Sequence, residues 1–241
     1  MLLKNITIVI GNEKGARRLG KRFVLLILTT IFFIGGCGTV DKKDNSSSEV
    51  EQDNIQTAAW QDEFTRDFLV SSEETEKGYY TFKSGIDGYT MLYPVNAIMD
   101  QTYYQYRDKE YEGILFGEAR EEENYEYAVT MHYEDRGITQ LINSNLDLLI
   151  GSEESITPED FEKYTIGDND IYFAEYKHNV SNKENGYYLV FLGYVKSRST
   201  DKAIGLDFSS RCLSEIKECE IDNSLEREQV KKIFHSIRFN P

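Results

Sequence analysis

The sequence predicts an α+β fold, with an antiparallel β-sheet flanked by helices in a single domain. Three observations carry that prediction. All 17 tyrosines lie between Tyr79 and Tyr194, and aromatic side chains suit a pleated, half-buried surface. Period-two alternation runs through Tyr125, Tyr127, Val129, Met131 and Tyr133 and recurs in Tyr172, Ala174 and Tyr176. Apolar stripes at helical spacing lie between and after these strand-like runs.

Taken from the N-terminus, residues 1–36 stand apart from that fold. Lys14, Arg17, Arg18, Lys21 and Arg22 precede the apolar run Phe23 to Ile34, and positive charge is retained on the cytoplasmic side during insertion. Twelve residues make a helix of about 18 Å, too short for the roughly 30 Å of hydrocarbon in a bilayer. The small residues Gly35 and Gly36 then lead into Cys37. Ile34-Gly35-Gly36-Cys37 resembles the lipobox of bacterial lipoproteins. That resemblance implies a thioether-linked diacylglycerol on Cys37, cleavage between Gly36 and Cys37 by signal peptidase II, and N-acylation of the new terminus. An ordinary secretory leader, or an uncleaved anchor with an incidental cysteine, is the alternative. The Ile6-Thr7-Ile8-Val9-Ile10 run has no role in such a leader, which leaves room for a translation start further in.

Removing the leader changes the charge. It holds six Lys/Arg and one acid, so of 27 basic and 42 acidic residues the mature chain keeps 21 and 41, a net −20. A nucleic-acid partner is excluded, because binding needs a basic face to displace counter-ions from phosphates. Contact with anionic head groups is likewise disfavoured. The membrane partner is therefore reached through acylated Cys37, two acyl chains being enough for stable anchoring.

Residues 37–56 are polar, with Val40, Val50 and Ile55 their only large apolar side chains. Such a segment cannot offset its ordering entropy and reads as a flexible tether spanning about 25 Å. Within the lead-in 57–76, Trp60, Phe64, Phe68 and Leu69 recur near helical spacing, predicting an amphipathic helix over 58–70 docked on the body. The globular domain is expected over 77–241. Its strands are predicted at 78–83, 88–93, 111–119, 124–134, 170–179, 186–196 and 202–210, with Asn185-Gly186 marking a hairpin. Ile138, Leu141, Ile142, Leu146 and Leu149 predict a helix over 137–150. Thr157-Pro158-Glu159-Asp160 reads as a helix start. Val230, Ile233, Phe234 and Ile237 form the stripe of a last helix opening at Asn223 to Glu226.

Two segments carry a family resemblance. Asp87-Gly88-Tyr89-Thr90-Met91-Leu92-Tyr93-Pro94 resembles the strand-then-proline opening of PsbP/Mog1-like domains. The close, Val230-Lys-Lys-Ile-Phe-His-Ser-Ile-Arg-Phe239, is similar to their last helix running into a terminal strand. Several bacterial lipoproteins are similar. The resemblance implies an antiparallel sheet flanked by helices, binding or scaffolding roles, and no shared catalytic residues to carry over. A cysteine pair and the tyrosine load are departures from it.

Cys212 and Cys219 have six residues between them. Outside the cytoplasm this spacing suits a disulfide closing a small loop after a strand, with two free thiols or a metal or redox role as the other readings. No cofactor or metal is expected. Asp168-Asn169-Asp170 matches only the first part of a calcium loop, since the glycine and distal glutamate do not follow. There is no G-x-S-x-G, H-E-x-x-H or phosphate-cradling glycine loop. His132, His178 and His235 are scattered, and the five glutamates from Glu118 to Glu126 read as a solvated turn. The pairs Tyr79-Tyr80, Tyr103-Tyr104 and Tyr187-Tyr188 would each face one ring outward on a strand. Outward rings offer a binding face for peptide or glycan, or else merely pair across strands. The function expected is a non-catalytic binding or scaffolding module, lipid-anchored outside the cytoplasm and gripping an envelope protein. An envelope hydrolase or solute-binding accessory protein is the runner-up.

Overall fold

The computed structural model describes residues 57–179, 187–214, 219 and 221–241. The leader, Gly36, Cys37, the tether and the Asn185-Gly186 hairpin lie outside the described residues. None of the helices described is long and apolar enough to cross a membrane.

The fold is α+β and mostly antiparallel sheet. The strands are β1 (Tyr79–Lys83), β2 (Tyr89–Pro94), β3 (Ile98–Met99), β4 (Gln105–Arg107), β5 (Tyr111–Arg120), β6 (Tyr125–Asp135), β7 (Glu162–Ile166), β8 (Asn169–Asn179), β9 (Tyr187–Ser197), β10 (Lys202–Cys212) and β11 (Arg238–Phe239). A small sheet runs β1-β2-β11. A large one runs β3-β5-β6-β10-β9-β8-β7, with β4 added on β5. The helices are α1 (Ala58–Gln61), α2 (Glu63–Arg66), α3 (Ile142–Ile150) and α4 (Asn223–Ser236).

Alternation divides the large sheet into two faces. The first carries Tyr127, Val129, Met131, Phe191, Leu206 and Phe208, and it packs against α4 through Val230, Ile233 and Phe234. Glycine is required at one point of this contact: a Cβ on Gly193 would lie 2.0 Å from Phe234 Cε2. The small sheet closes the same core with Tyr80, Phe82, Met91 and Tyr93, and Tyr93 meets Phe116 at 4.8 Å between ring centroids. The Asp222 carboxylate caps α4 by accepting from Ser224 N at 2.9 Å.

Several predicted elements are corrected. The lead-in is two one-turn helices, because Asp62 takes an extended conformation and its carboxylate caps α2 from Thr65 N at 2.8 Å. Trp60, Phe64 and Phe68 still pack on the core, and Leu69 bridges to Phe82. The 137–150 helix breaks at Leu141 into a 3₁₀ turn, Gly137–Gln140, and α3. Asn145 Nδ2 donates to the carbonyls of Ile138 and Leu141, at 3.0 and 2.9 Å, and the side chains of both residues are exposed. The Thr157 start yields one 3₁₀ turn, Pro158–Asp160, closed by its own capping box. Phe161 then anchors in a second apolar cluster, and the chain enters β7.

Candidate functional site

The second face of the large sheet is covered only in part. α3 sets Leu146 into the cluster of Leu192, Tyr194, Ala203 and Phe161, and Leu149 reaches the bare backbone of Gly205. Beyond α3 the pairing register writes out the open floor. Asp207 stands opposite Thr130 of β6 and Leu192 of β9, and Thr130 in turn opposite Leu115 of β5. The next row on this face runs Gly117, Ala128, Ser209, Val190, Tyr176. Gly117, Ala128, Thr130 and Ser209 are small and partly exposed, so this part of the face is an open trough.

Asp207 is its chemical centre. Among the described residues its carboxylate has no hydrogen bond or ion pair, and burial alone pushes its pKa up to about 6. Tyr103 and Tyr176 lie close enough for the aspartate charge to raise their own pKa values, although burial is the larger cause for both.

Two aromatic walls flank the trough. On the β5–β6 side Tyr103 Oη and His132 Nε2 are 3.0 Å apart, and the imidazole lies nearly parallel to Tyr111 with centroids 6.1 Å apart. Burial depresses the pKa of His132, more than Glu134 raises it. On the β8–β9 side Arg211 donates to Tyr188 Oη at 2.7 Å and is ion-paired with Glu126. His178 Nδ1 contacts Glu153 at 2.7 Å. Hydrogen bonds from Ser155 and His178 hold Glu153 down at about 2. The walls are thus internally paired, and Asp207 between them is not.

The other candidates that the sequence singles out resolve differently, or not at all. Cys212 and Cys219 are joined by a disulfide with Cα atoms 6.0 Å apart, at the end of β10 and before α4. Asp168 belongs to a two-residue β7–β8 turn whose Gly167 has φ +58°. Its carboxylate accepts from Ser197 and Ser199, and Asp170 pairs with Lys163 at 3.1 Å. His235 contacts Tyr164 Oη at 3.0 Å, and burial, Lys231 and Arg238 lower its pKa. The tyrosine pairs divide between the faces. Tyr104 donates to buried Glu112 at 3.2 Å on the core side, while Tyr103 joins the open trough. Sequence reasoning missed Asp207, a single acid in a predicted strand. Its signal is its parity in β10: it shares the face of Gly205 and Ser209, not that of Leu206 and Phe208.

The chain resembles known proteins along nearly its whole length. A family model described as "Putative lipoprotein YvcA" matches residues 55–238. A protein named "Putative lipoprotein YvcA" from Bacillus subtilis (strain 168) is 28% identical over 235 residues, which is 90% of this chain and 94% of that relative. With the family match covering both sheets, the trough and α4, this chain belongs to the family described as "Putative lipoprotein YvcA".

Proposed function

We propose that the protein is a lipid-anchored envelope lipoprotein whose globular domain is a non-catalytic binding module, with the open trough as its contact surface. The anchor half of this reading is supported by the Ile34-Gly35-Gly36-Cys37 motif behind a short cationic and apolar leader, and by the lipoprotein name of the family and of the Bacillus subtilis relative. Residues 1–36 are removed in this reading. Acylated Cys37 sits in the outer leaflet of the cell membrane, and 37–56 tether one PsbP/Mog1-like domain on the extracytoplasmic side. A disulfide between Cys212 and Cys219 suits that compartment.

One observation carries the binding half: an unpaired carboxylate, Asp207, on an uncovered sheet face between two aromatic walls. Asp207 is half-buried and faces the open trough, so a partner can reach its carboxylate and supply the missing counter-charge.

Site-specific photo-cross-linking in living cells tests this. A photoreactive residue at Ala128, in the trough, should capture one reproducible envelope protein, and one at exposed Glu63 should not. Capture at neither position, or equal capture at both, would refute the trough as the contact surface.

A further inference from the structure

The trough has a chemistry that narrows its partner. Its floor is of small residues, its walls are aromatic, and its one charged floor residue, Asp207, has no counter-ion among the described residues. Resting on the binding-module reading above, we infer that the trough receives a basic side chain, the ammonium of lysine or the guanidinium of arginine, from a polypeptide partner. That cation would pair with Asp207 and lie beside the rings of Tyr103 and Tyr176.

Three arguments support this occupant. A half-buried carboxylate without a counter-ion among the described residues gains from an incoming cation, because part of its desolvation is already in place before binding. Rings beside it favour a cation through their quadrupoles. A mature chain of net charge −20 also draws basic segments electrostatically. A polypeptide fits better than a free amine because the trough is open. Partly exposed Gly117, Ala128, Thr130 and Ser209 would leave a small cation largely in water, whereas an extended segment lying along them covers it.

The groups around Asp207 define the pH behaviour. Tyr103 and His132 face it from the β5–β6 side. Tyr176, with Glu153 and His178 behind it, does so from β8, and the Arg211–Glu126 pair lies further along the same face. Asp147, the one charged residue of α3, is exposed. Among these groups Asp207 has its pKa pushed up to about 6, and burial lowers that of His132.

The test uses the full mature protein in detergent and the peptide Ac-Ala-Ala-Lys-Ala-Ala-amide, with norleucine in place of lysine as the uncharged control. Titration at pH 7, followed through the tyrosine ring resonances, should show the lysine peptide binding at least tenfold tighter than the control. Asp207→Asn should abolish that preference, and so should Ser209→Lys, which sets an internal cation next to Asp207 on the same face. For the wild type the preference should shrink several-fold at pH 5. Equal binding of both peptides, or a lysine preference surviving in Asp207→Asn, overturns the inference. So does butylamine binding as tightly as the lysine peptide, since the occupant would then be a small amine. If cross-linking at Ala128 still captures a partner while no lysine preference exists, the trough binds by other contacts and only the cation assignment falls. Thermal melts of both variants guard against misfolding. Should either unfold, the wild-type lysine-to-norleucine ratio alone decides.

Discussion

At neutral pH Asp207 carries a charge that nothing among the described residues neutralises, and the folded protein bears that cost. Its pKa rises from 3.8 to about 6 on folding, worth on the order of 3 kcal/mol at 1.36 kcal/mol per tenfold. The sign follows from which state binds the proton. Below pH 3.8 the side chain is protonated in both states and the cost vanishes. Between about pH 4 and 6 the unfolded chain ionises while the folded one holds its proton, so stability falls, and above 6 the cost stays constant. Asp207→Asn should therefore raise the unfolding free energy by about 1–3 kcal/mol at pH 7 and leave it nearly unchanged at pH 3.5, measured by urea denaturation. An Asn variant equally or less stable at pH 7 would mean that the carboxylate has a partner. A residue that weakens its own fold while sitting on an open face fits selection for binding rather than packing. The sequence could not single it out among 42 acids. Its environment is set by where β6 and β9 pair with β10, by Gly205 admitting Leu149 beside it, and by α3 stopping short. Cys212 and Cys219 were legible because their spacing is local, whereas the surroundings of Asp207 come from strands far apart in the chain.

Helix α4 shows how an element is held by a single missing side chain. Phe234 is almost fully buried and its ring occupies the space where residue 193 would place a Cβ. Gly193→Ala should cost about 2–3 kcal/mol by overpacking, and Phe234→Leu in that background should recover part of it. A strictly additive double mutant in chemical denaturation would show that the two positions do not touch. The disulfide acts at the other end of the same helix, closing the short 212–219 loop ahead of the Asp222 cap. Cys212→Ser with Cys219→Ser should lower stability by about 2–3 kcal/mol by the loop-entropy argument, and reductant should bring the wild type to the same value. If reductant leaves the wild-type curve unmoved, the thiols are unbridged in solution. Long strands were readable within a residue or two at their ends: β6 alternates along its whole length and β10 in its second half, while β9 is an apolar run buried on both faces. The failures share one cause. Asp62, Asn145 and the Thr157–Asp160 box each satisfy backbone groups locally, and local capping outcompetes a helical stripe that looks continuous.

For the whole molecule, anchoring and recognition constrain each other. One cation in an open trough offers few contacts, and an exposed ion pair contributes little, so the domain by itself should bind its partner weakly. Confinement to one membrane, as proposed above, would offset this by raising effective concentration without adding a contact. With a net charge of −20 expected for the mature chain, the proposed acyl chains would have to hold it against the repulsion of an anionic surface. Two variants separate these contributions. Cys37→Ser should accumulate unprocessed and fail to label with a palmitate analogue. If it matures and stays on the membrane as before, Cys37 is not the anchor. Replacing residues 1–37 with an ordinary secretory leader should release a chain whose Asp207 site is intact. Cross-linking from Ala128 should then drop by an order of magnitude in cells, while the purified protein keeps its preference for the lysine peptide. Undiminished cross-linking after release would mean that the trough grips its partner unaided, and that the lipid serves only to place the protein in the envelope.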